Sequence, residues 1–135
     1  MIEGFYLDTS IWLDIYERRG LNGKQAINLI FKIIIESSII VYSDLTIREL
    51  KHIGYETNEI NFILSTAKPT ILKHIHTYRK QIEQARKLAK QRNVPFKDAL
   101  HAVLARDNNV QFVSRDKHFQ KLKDITDTKS PETLI

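Results

Sequence analysis

Short apolar segments rich in β-branched and aromatic residues alternate along this sequence with segments whose apolar residues recur at helical spacing. The first is Gly4 to Leu7, and good helix-capping residues, Thr9 and Ser10, follow it directly. A second β-branched segment, Ser38 to Tyr42, follows an amphipathic helical pattern. Parallel strands need crossovers of this length, and the crossover helices cover both sheet faces. The alternation therefore predicts a single α/β domain over residues 1–135, a three-layer α/β/α sandwich with a central parallel sheet.

Turn and capping residues predict where the other elements begin and end. Gly20 to Gly23 is typical of a turn, and Thr46 with Glu49 forms the Thr-x-x-Glu capping-box pattern of a helix start. Pro69 predicts that Lys68-Pro69 ends the preceding helix. The remaining predicted elements are a helix at Asn58 to Ala67, a short strand at Thr70 to Ile75, helices at Tyr78 to Arg92 and Phe96 to Arg106, and strands at Val110 to Ser114 and near Ile125.

The composition excludes several classes of protein. The chain has no cysteine, which excludes disulfides, cysteine-ligated zinc and thiol nucleophiles and fits a reducing compartment. Met1 to Leu7 is too short for a signal peptide, and charged residues interrupt the apolar stretch Ile27 to Ile40. We therefore expect a soluble, cytoplasmic protein that does not bind membranes.

The charge of the chain favours polyanionic partners. Its formal net charge is +5, and six cations between Arg79 and Arg92 accompany a single acid, Glu83, on one predicted helix. A solvated basic face is the more common explanation for such a helix, because lysine and arginine are usually exposed. Nucleic-acid binding is the alternative.

Four acids, Asp8, Glu49, Asp98 and Asp116, lie where a predicted strand ends or a predicted helix begins. In a parallel α/β sheet, strand carboxyl ends and helix amino ends share one edge, so these side chains should converge. Each acid alone also fits a helix cap or a turn. Crowded carboxylates repel one another unless a cation neutralises them, and oxygen ligands favour Mg²⁺ or Mn²⁺. The cluster predicts metal-assisted hydrolysis of phosphodiesters, with Asp8, Asp98 and Asp116 as metal ligands.

Polar residues beside these acids are candidates for binding substrate. Ser10 could donate a hydrogen bond to Asp8 or to a metal-bound water, while Lys97, Arg115 and Lys117 could bind phosphates. An exposed cap or charge is the alternative for each of them.

Two histidine positions also have the chemistry of metal ligands. His74 and His76 share one face of a predicted strand, but no third ligand is evident in the sequence, so a metal site there is not favoured. His101, three residues after Asp98, is better explained as a packed or hydrogen-bonded residue. Asp44 is expected to lie behind the four acids as a neighbour of the site.

Four segments resemble, in order and spacing, the acid-bearing segments of the PIN domain, the fold of VapC-type toxins and related metal-dependent ribonucleases. They are Leu7-Asp8-Thr9-Ser10, Ser43 through Leu50, Asp98-Ala99-Leu100-His101-Ala102, and Phe112 to Asp116 followed by Phe119. The resemblance implies an α/β/α sandwich, dependence on Mg²⁺ or Mn²⁺, and endonucleolytic cleavage of RNA. The toxin-like subgroup further implies a homodimer and a small inhibitory antitoxin protein.

Two other functions compete with this hypothesis. A non-catalytic RNA-binding or protein-interaction module could keep the sheet and use the basic helix. A phosphatase or receiver domain also places acids at strand ends, but the haloacid-dehalogenase pattern needs an aspartate where this chain has Ser10.

Overall fold

The structure, a computed structural model, describes residues 4–67 and 71–135. Its strands form one five-stranded sheet in the order β3-β2-β1-β4-β5, and all neighbouring pairs are parallel. The strands are β1 Gly4–Leu7, β2 Ile39–Ser43, β3 Ile71–Ile75, β4 Gln111–Val113 and β5 Thr128–Lys129. The first strand is therefore central, and the chain moves outward from it in both directions.

Helices cover both faces of the sheet. They are α1 Thr9–Tyr16, α2 Gly20–Ile35, α3 Asp44–Ile53, α4 Thr57–Ser65, α5 Arg79–Arg92 and α6 Phe96–Asp107, with 3₁₀ helices at Lys117–Leu122 and Pro131–Thr133. Successive side chains of a strand point to opposite faces. Tyr6 accordingly packs in a core with α5 and α6, whereas Leu7 packs in a second core with α1, α2 and α4. The predicted three-layer α/β/α sandwich with a parallel sheet is confirmed.

The predicted turn at Gly20 to Gly23 is wrong, because α2 already begins at Gly20. Gly20 has a φ of +60°, which lets the chain reverse directly after α1. Gly23 is buried in the first turns of α2, where an added Cβ would lie 2.6 Å from the carbonyl oxygen of Asp14. No helix in the described ranges is long and apolar enough to cross a lipid bilayer.

The predicted capping box at Thr46 and Glu49 is also wrong. The N-cap of α3 is Ser43, whose hydroxyl accepts a 3.2 Å hydrogen bond from the backbone N–H of Thr46, and the Thr46 hydroxyl accepts one from the backbone N–H of Ser43. Because α3 begins three residues earlier, Glu49 lies in its second turn and its carboxylate is available for other contacts.

The C-terminal strand also differs from the prediction. It comprises Thr128–Lys129, while Ile125 lies in the turn before it. The predicted helix end at Lys68-Pro69, and Thr70 at the start of the predicted third strand, lie outside the described residues.

We expect Gly23→Ala to destabilise the protein by about 1–3 kcal/mol, because the methyl group would overlap the backbone carbonyl of Asp14 in α1. Alanine is more favourable than glycine in a helix by about 1 kcal/mol, so a net loss of stability in this variant would come from the steric overlap. Urea denaturation followed by circular dichroism measures it. Lys24→Ala, at the next and exposed position of α2, is the matched control, and equal stability of the two variants would contradict the packing described here.

Candidate active site

All four predicted acids line one open cleft of about 670 Å³ at the carboxyl edge of the sheet. Asp8 follows β1 as the N-cap of α1, and Asp116 follows β4 as the N-cap of a 3₁₀ helix. Asp98 lies in the first turn of α6, and Glu49 lies one turn further into α3 than the sequence predicts. Residues as far apart as 8 and 116 thus face the same space.

Both oxygens of Asp8 are fixed by hydrogen bonds. Its Oδ1 accepts from the backbone N–H of Thr9 at 2.8 Å, and its Oδ2 accepts from the Ser114 hydroxyl at 2.7 Å. The Ser10 hydroxyl is a longer donor, at 3.4 Å. Because Ser114 follows β4 and Thr9 opens α1, the carboxylate holds the ends of the two central strands together at the cleft.

A chain of hydrogen bonds through the core holds Glu49. Its Oε1 accepts from the Thr9 hydroxyl at 2.7 Å and lies 2.6 Å from Nε2 of His101. The other ring nitrogen of His101 lies 2.7 Å from the Tyr6 hydroxyl, which is 2.6 Å from the Ser43 hydroxyl. With the imidazole proton on Nε2, every link has one donor and one acceptor, in the direction Ser43 to Tyr6 to His101 to Glu49.

The protonation states support this direction. Burial raises the pKa of the Tyr6 phenol, so the hydroxyl stays neutral and can donate. Burial alone would also raise the pKa of Glu49, but the hydrogen bonds from His101 and Thr9 hold it below its usual value. Glu49 is therefore an ionised carboxylate in a fixed orientation at the mouth of the cleft.

Asp98 has the opposite environment. Burial, followed by the negative charges of Asp116 and Asp8, raises its pKa to about 6. Nδ1 of His118 lies 3.8 Å from Asp98 and 3.4 Å from Asp116, but the side chain of this histidine is mostly exposed. Asp98 is thus a crowded carboxylate with too little positive charge around it, the condition that a bound cation relieves.

The donor set of the cleft fits a divalent cation. Potential ligand atoms lie within 4.8 Å of one another in two groups, Asp8 with Glu49 and His101, and Asp98 with Asp116 and His118. Both ring nitrogens of His101 already have hydrogen-bond partners, so this histidine orients Glu49 and is not a free ligand. The carboxylates that remain are hard oxygen donors, which suit Mg²⁺ or Mn²⁺.

The structure separates the four predicted substrate-binding residues into two pairs. Ser10 and Lys97 line the cleft, and the Lys97 ammonium is 4.0 Å from Glu49. Arg115 and Lys117 line a neighbouring cavity instead. Arg115 donates two hydrogen bonds to Glu132, at 2.7 and 2.8 Å, so its guanidinium is occupied by a structural ion pair.

Several residues of the cleft are missed by the sequence analysis. Arg19, Arg48 and His52 line it, although nothing in their local sequence distinguishes them from other exposed basic residues. The position of His101, one helical turn after Asp98, indicates its hydrogen-bonding role. Asp44, expected behind the acids, instead bonds to His74, where its Oδ1 lies 2.6 Å from Nε2.

We expect Asp98→Asn to stabilise the cation-free protein by about 1–3 kcal/mol at pH 7.5, because the amide removes a buried, repelled charge. The folded protein raises this pKa, so the favourable contribution of protonated Asp98 is complete below the ordinary value of 3.8 and is lost as the pH rises to about 6. The stability difference between variant and wild type should therefore vanish near pH 4.

Thermal unfolding in EDTA across this pH range measures the difference. Asp127→Asn, an exposed acid outside the cleft, controls for the change in net charge. A difference between Asp98→Asn and wild type that stays constant from pH 4 to pH 7.5 would contradict the environment of Asp98 described above.

Comparison with solved structures identifies the same fold in several proteins of low sequence identity. The chain matches a chain of VapBC2 from Rickettsia felis, solved bound to a promoter DNA fragment, with a TM-score of 0.69 and 16% identity over 96% of this chain and 98% of that chain. A toxin–antitoxin complex from Klebsiella pneumoniae matches with a TM-score of 0.63 and 16% identity, over 95% and 98%. PAE2754 from Pyrobaculum aerophilum matches with a TM-score of 0.60 and 18% identity, over 97% and 85%.

Sequence comparison leads to the family. No curated protein matches the chain significantly. The sequence model of the PIN domain matches residues 5–125, which include all four acids of the cleft. The chain therefore belongs to the PIN domain family.

Proposed function

We propose that this protein is a Mg²⁺- or Mn²⁺-dependent endoribonuclease that hydrolyses RNA phosphodiester bonds in the four-acid cleft, with residues 1–135 as one nuclease domain. The observation that carries the proposal is the convergence of Asp8, Glu49, Asp98 and Asp116 on one open cleft. Membership of the PIN domain family supports nuclease chemistry.

The four acids have different roles in this proposal. A bound Mg²⁺ or Mn²⁺ would make a water molecule a better nucleophile and neutralise phosphate charge. Asp8, Asp98 and Asp116 would hold the ion, whose charge would offset the burial and the repulsion that raise the pKa of Asp98 to about 6. Glu49 is ionised and oriented by His101 and Thr9, so its free oxygen can accept a hydrogen bond from the attacking water.

The rim of the cleft favours a polynucleotide over a small phosphate ester. Arg48 and Lys97 line the cleft beside the acids with positive charge, which suits a phosphate backbone, whereas Arg19 lines it with its guanidinium paired to Glu17 at 2.6 Å. Phe96 adds a partly exposed aromatic ring at the same mouth, and the Arg86 guanidinium lies 5.9 Å from its centre. Proteins bind single-stranded RNA through such a combination, because bases stack on aromatic rings while cations contact phosphates.

We also propose a small antitoxin as protein partner and a homodimer as the free state, on the likeness to solved toxin–antitoxin chains. Large exposed apolar side chains support protein contacts: Phe31 and Ile35, one turn apart on α2, are 59% and 82% exposed. Light scattering that gives the chain mass of 15.8 kDa for the purified protein would exclude the homodimer.

Asp8→Asn should lower the rate of RNA cleavage about 100-fold or more, because it removes the charge of a proposed metal ligand. Asparagine is as good an N-cap as aspartate, so folding should be retained. The assay is cleavage of a fluorescent RNA by protein free of host nucleases, with Mn²⁺ or with EDTA. Asp127→Asn is the matched control, and cleavage by Asp8→Asn at the rate of this control would refute the proposed site.

The rim predicts a separate effect on substrate binding. Arg48→Gln should raise KM several-fold with little change in kcat, since a phosphate contact remote from the reacting bond stabilises bound substrate and transition state equally. Lys87→Gln, on the exposed face of α5, is the control with the same loss of charge and should leave KM near the wild-type value.

The same pair of variants tests the alternative, a non-catalytic RNA-binding module that uses the basic face of α5. Part of that face is engaged in ion pairs, Arg79 with Glu83 and Arg92 with Asp124, which favours the cleft as the binding surface. If RNA binding survives EDTA and Asp8→Asn but weakens in Lys87→Gln and not in Arg48→Gln, the alternative is correct.

A further inference from the structure

A second group of metal-ligating side chains lies at the edge strand of the sheet. His74 and His76 alternate with Ile75 at the end of β3, so their rings lie on one face, with centroids 4.5 Å apart. The third ligand that the sequence leaves unidentified is Asp44. It follows β2, the strand paired with β3 in the register Tyr42 to His74 and Ser43 to Ile75.

The three side chains are close enough to share one cation. Asp44 Oδ1 lies 2.6 Å from His74 Nε2 and 3.7 Å from His76 Nδ1, and one ligand atom from each residue lies within 4.8 Å of the others. Zinc bonds of about 2.0–2.1 Å place tetrahedral ligand atoms about 3.3 Å apart, between these two distances. An ion would therefore part Asp44 and His74 slightly and draw the exposed His76 ring slightly closer to Asp44.

Neighbouring groups hold two of the ligands in place. The other oxygen of Asp44 accepts a 3.1 Å hydrogen bond from the backbone N–H of Thr77. The His74 ring is stacked on Tyr42, with centroids 4.8 Å apart and planes 11° from parallel. These contacts leave Oδ1 of Asp44 and Nε2 of His74 facing each other. In metal sites, contacts of this kind orient the ligand atoms towards the ion.

We propose that Asp44, His74 and His76 bind one transition-metal cation of the Zn²⁺, Co²⁺ or Ni²⁺ type. Two imidazoles with one carboxylate favour these ions, whereas the oxygen donors of the four-acid cleft favour Mg²⁺ or Mn²⁺. None of the three residues lines that cleft, so the two sites would select different metals. The ion would join β3 to the start of α3, and three protein ligands would leave a coordination position for water.

The test is a titration of the full chain with Zn²⁺ in excess Mg²⁺, which competes with Zn²⁺ for the oxygen-rich cleft. Proton–nitrogen correlation spectra of the histidine rings report each histidine separately, so the responding residues are identified directly. We expect the ring nitrogens of His74 and His76 to shift together and to saturate at one equivalent of Zn²⁺.

Variants make the assignment specific. His76→Gln, an exposed position, should weaken Zn²⁺ binding about tenfold or more in calorimetry, and Gln91→Ala, an exposed position on α5 outside both sites, should leave it unchanged. Zn²⁺ should raise the melting temperature of wild type more than that of His76→Gln. Unshifted His74 and His76 resonances, or equal Zn²⁺ affinity in wild type and His76→Gln, would overturn the proposal.

Discussion

A buried chain of hydrogen bonds, from Ser43 through Tyr6 and His101 to Glu49, determines how the elements around the cleft meet. Its members come from the end of β2, the middle of β1, α6 and α3. A buried polar group that loses its partner costs about 1–3 kcal/mol, so the chain is favourable only when all four elements are in register. The Glu49 carboxylate at its end is consequently oriented by contacts that reach into the core.

In the cleft, stabilising hydrogen bonds are opposed by electrostatic repulsion between the acids. Around Asp98 the burial of one carboxylate and the charges of two others oppose folding, while the hydrogen bonds of Asp8 and Glu49 favour it. A fold that keeps acids close together without a cation holds its metal ligands in place before the ion binds. The repulsion between the acids lowers the stability of the fold, and such a loss of stability is characteristic of functional sites. This balance is the strongest physical reason to place chemistry at this edge of the sheet.

The sequence predicts the features that depend on local pattern or on the geometry of all parallel α/β sheets. The strand–helix alternation is sufficient for the three layers, and the junction positions of Asp8, Asp98 and Asp116 are sufficient for their common edge. The start of α3 is not predictable in this way, because both Ser43 and Thr46 are good caps and only tertiary packing selects Ser43. The Gly20 to Gly23 segment is similar, since a glycine can end one helix or begin the next.

Contacts between neighbouring strands cannot be predicted from the local sequence pattern. Asp44 meets His74 because β3 pairs with β2, and no spacing within either segment specifies that neighbour. Arg115 is the reverse case: its position beside Asp116 favours a role in the cleft, but Glu132, from the C-terminal segment, binds its guanidinium.

The strand order has a consequence for how copies of this chain behave at high concentration. An unpaired edge strand exposes backbone donors and acceptors that can recruit another β-strand and start aggregation. At one margin β5 is only two residues long, which offers little to pair with. At the other, β3 is longer but carries the exposed cation Lys73, a gatekeeper of the kind that disfavours intermolecular strand addition.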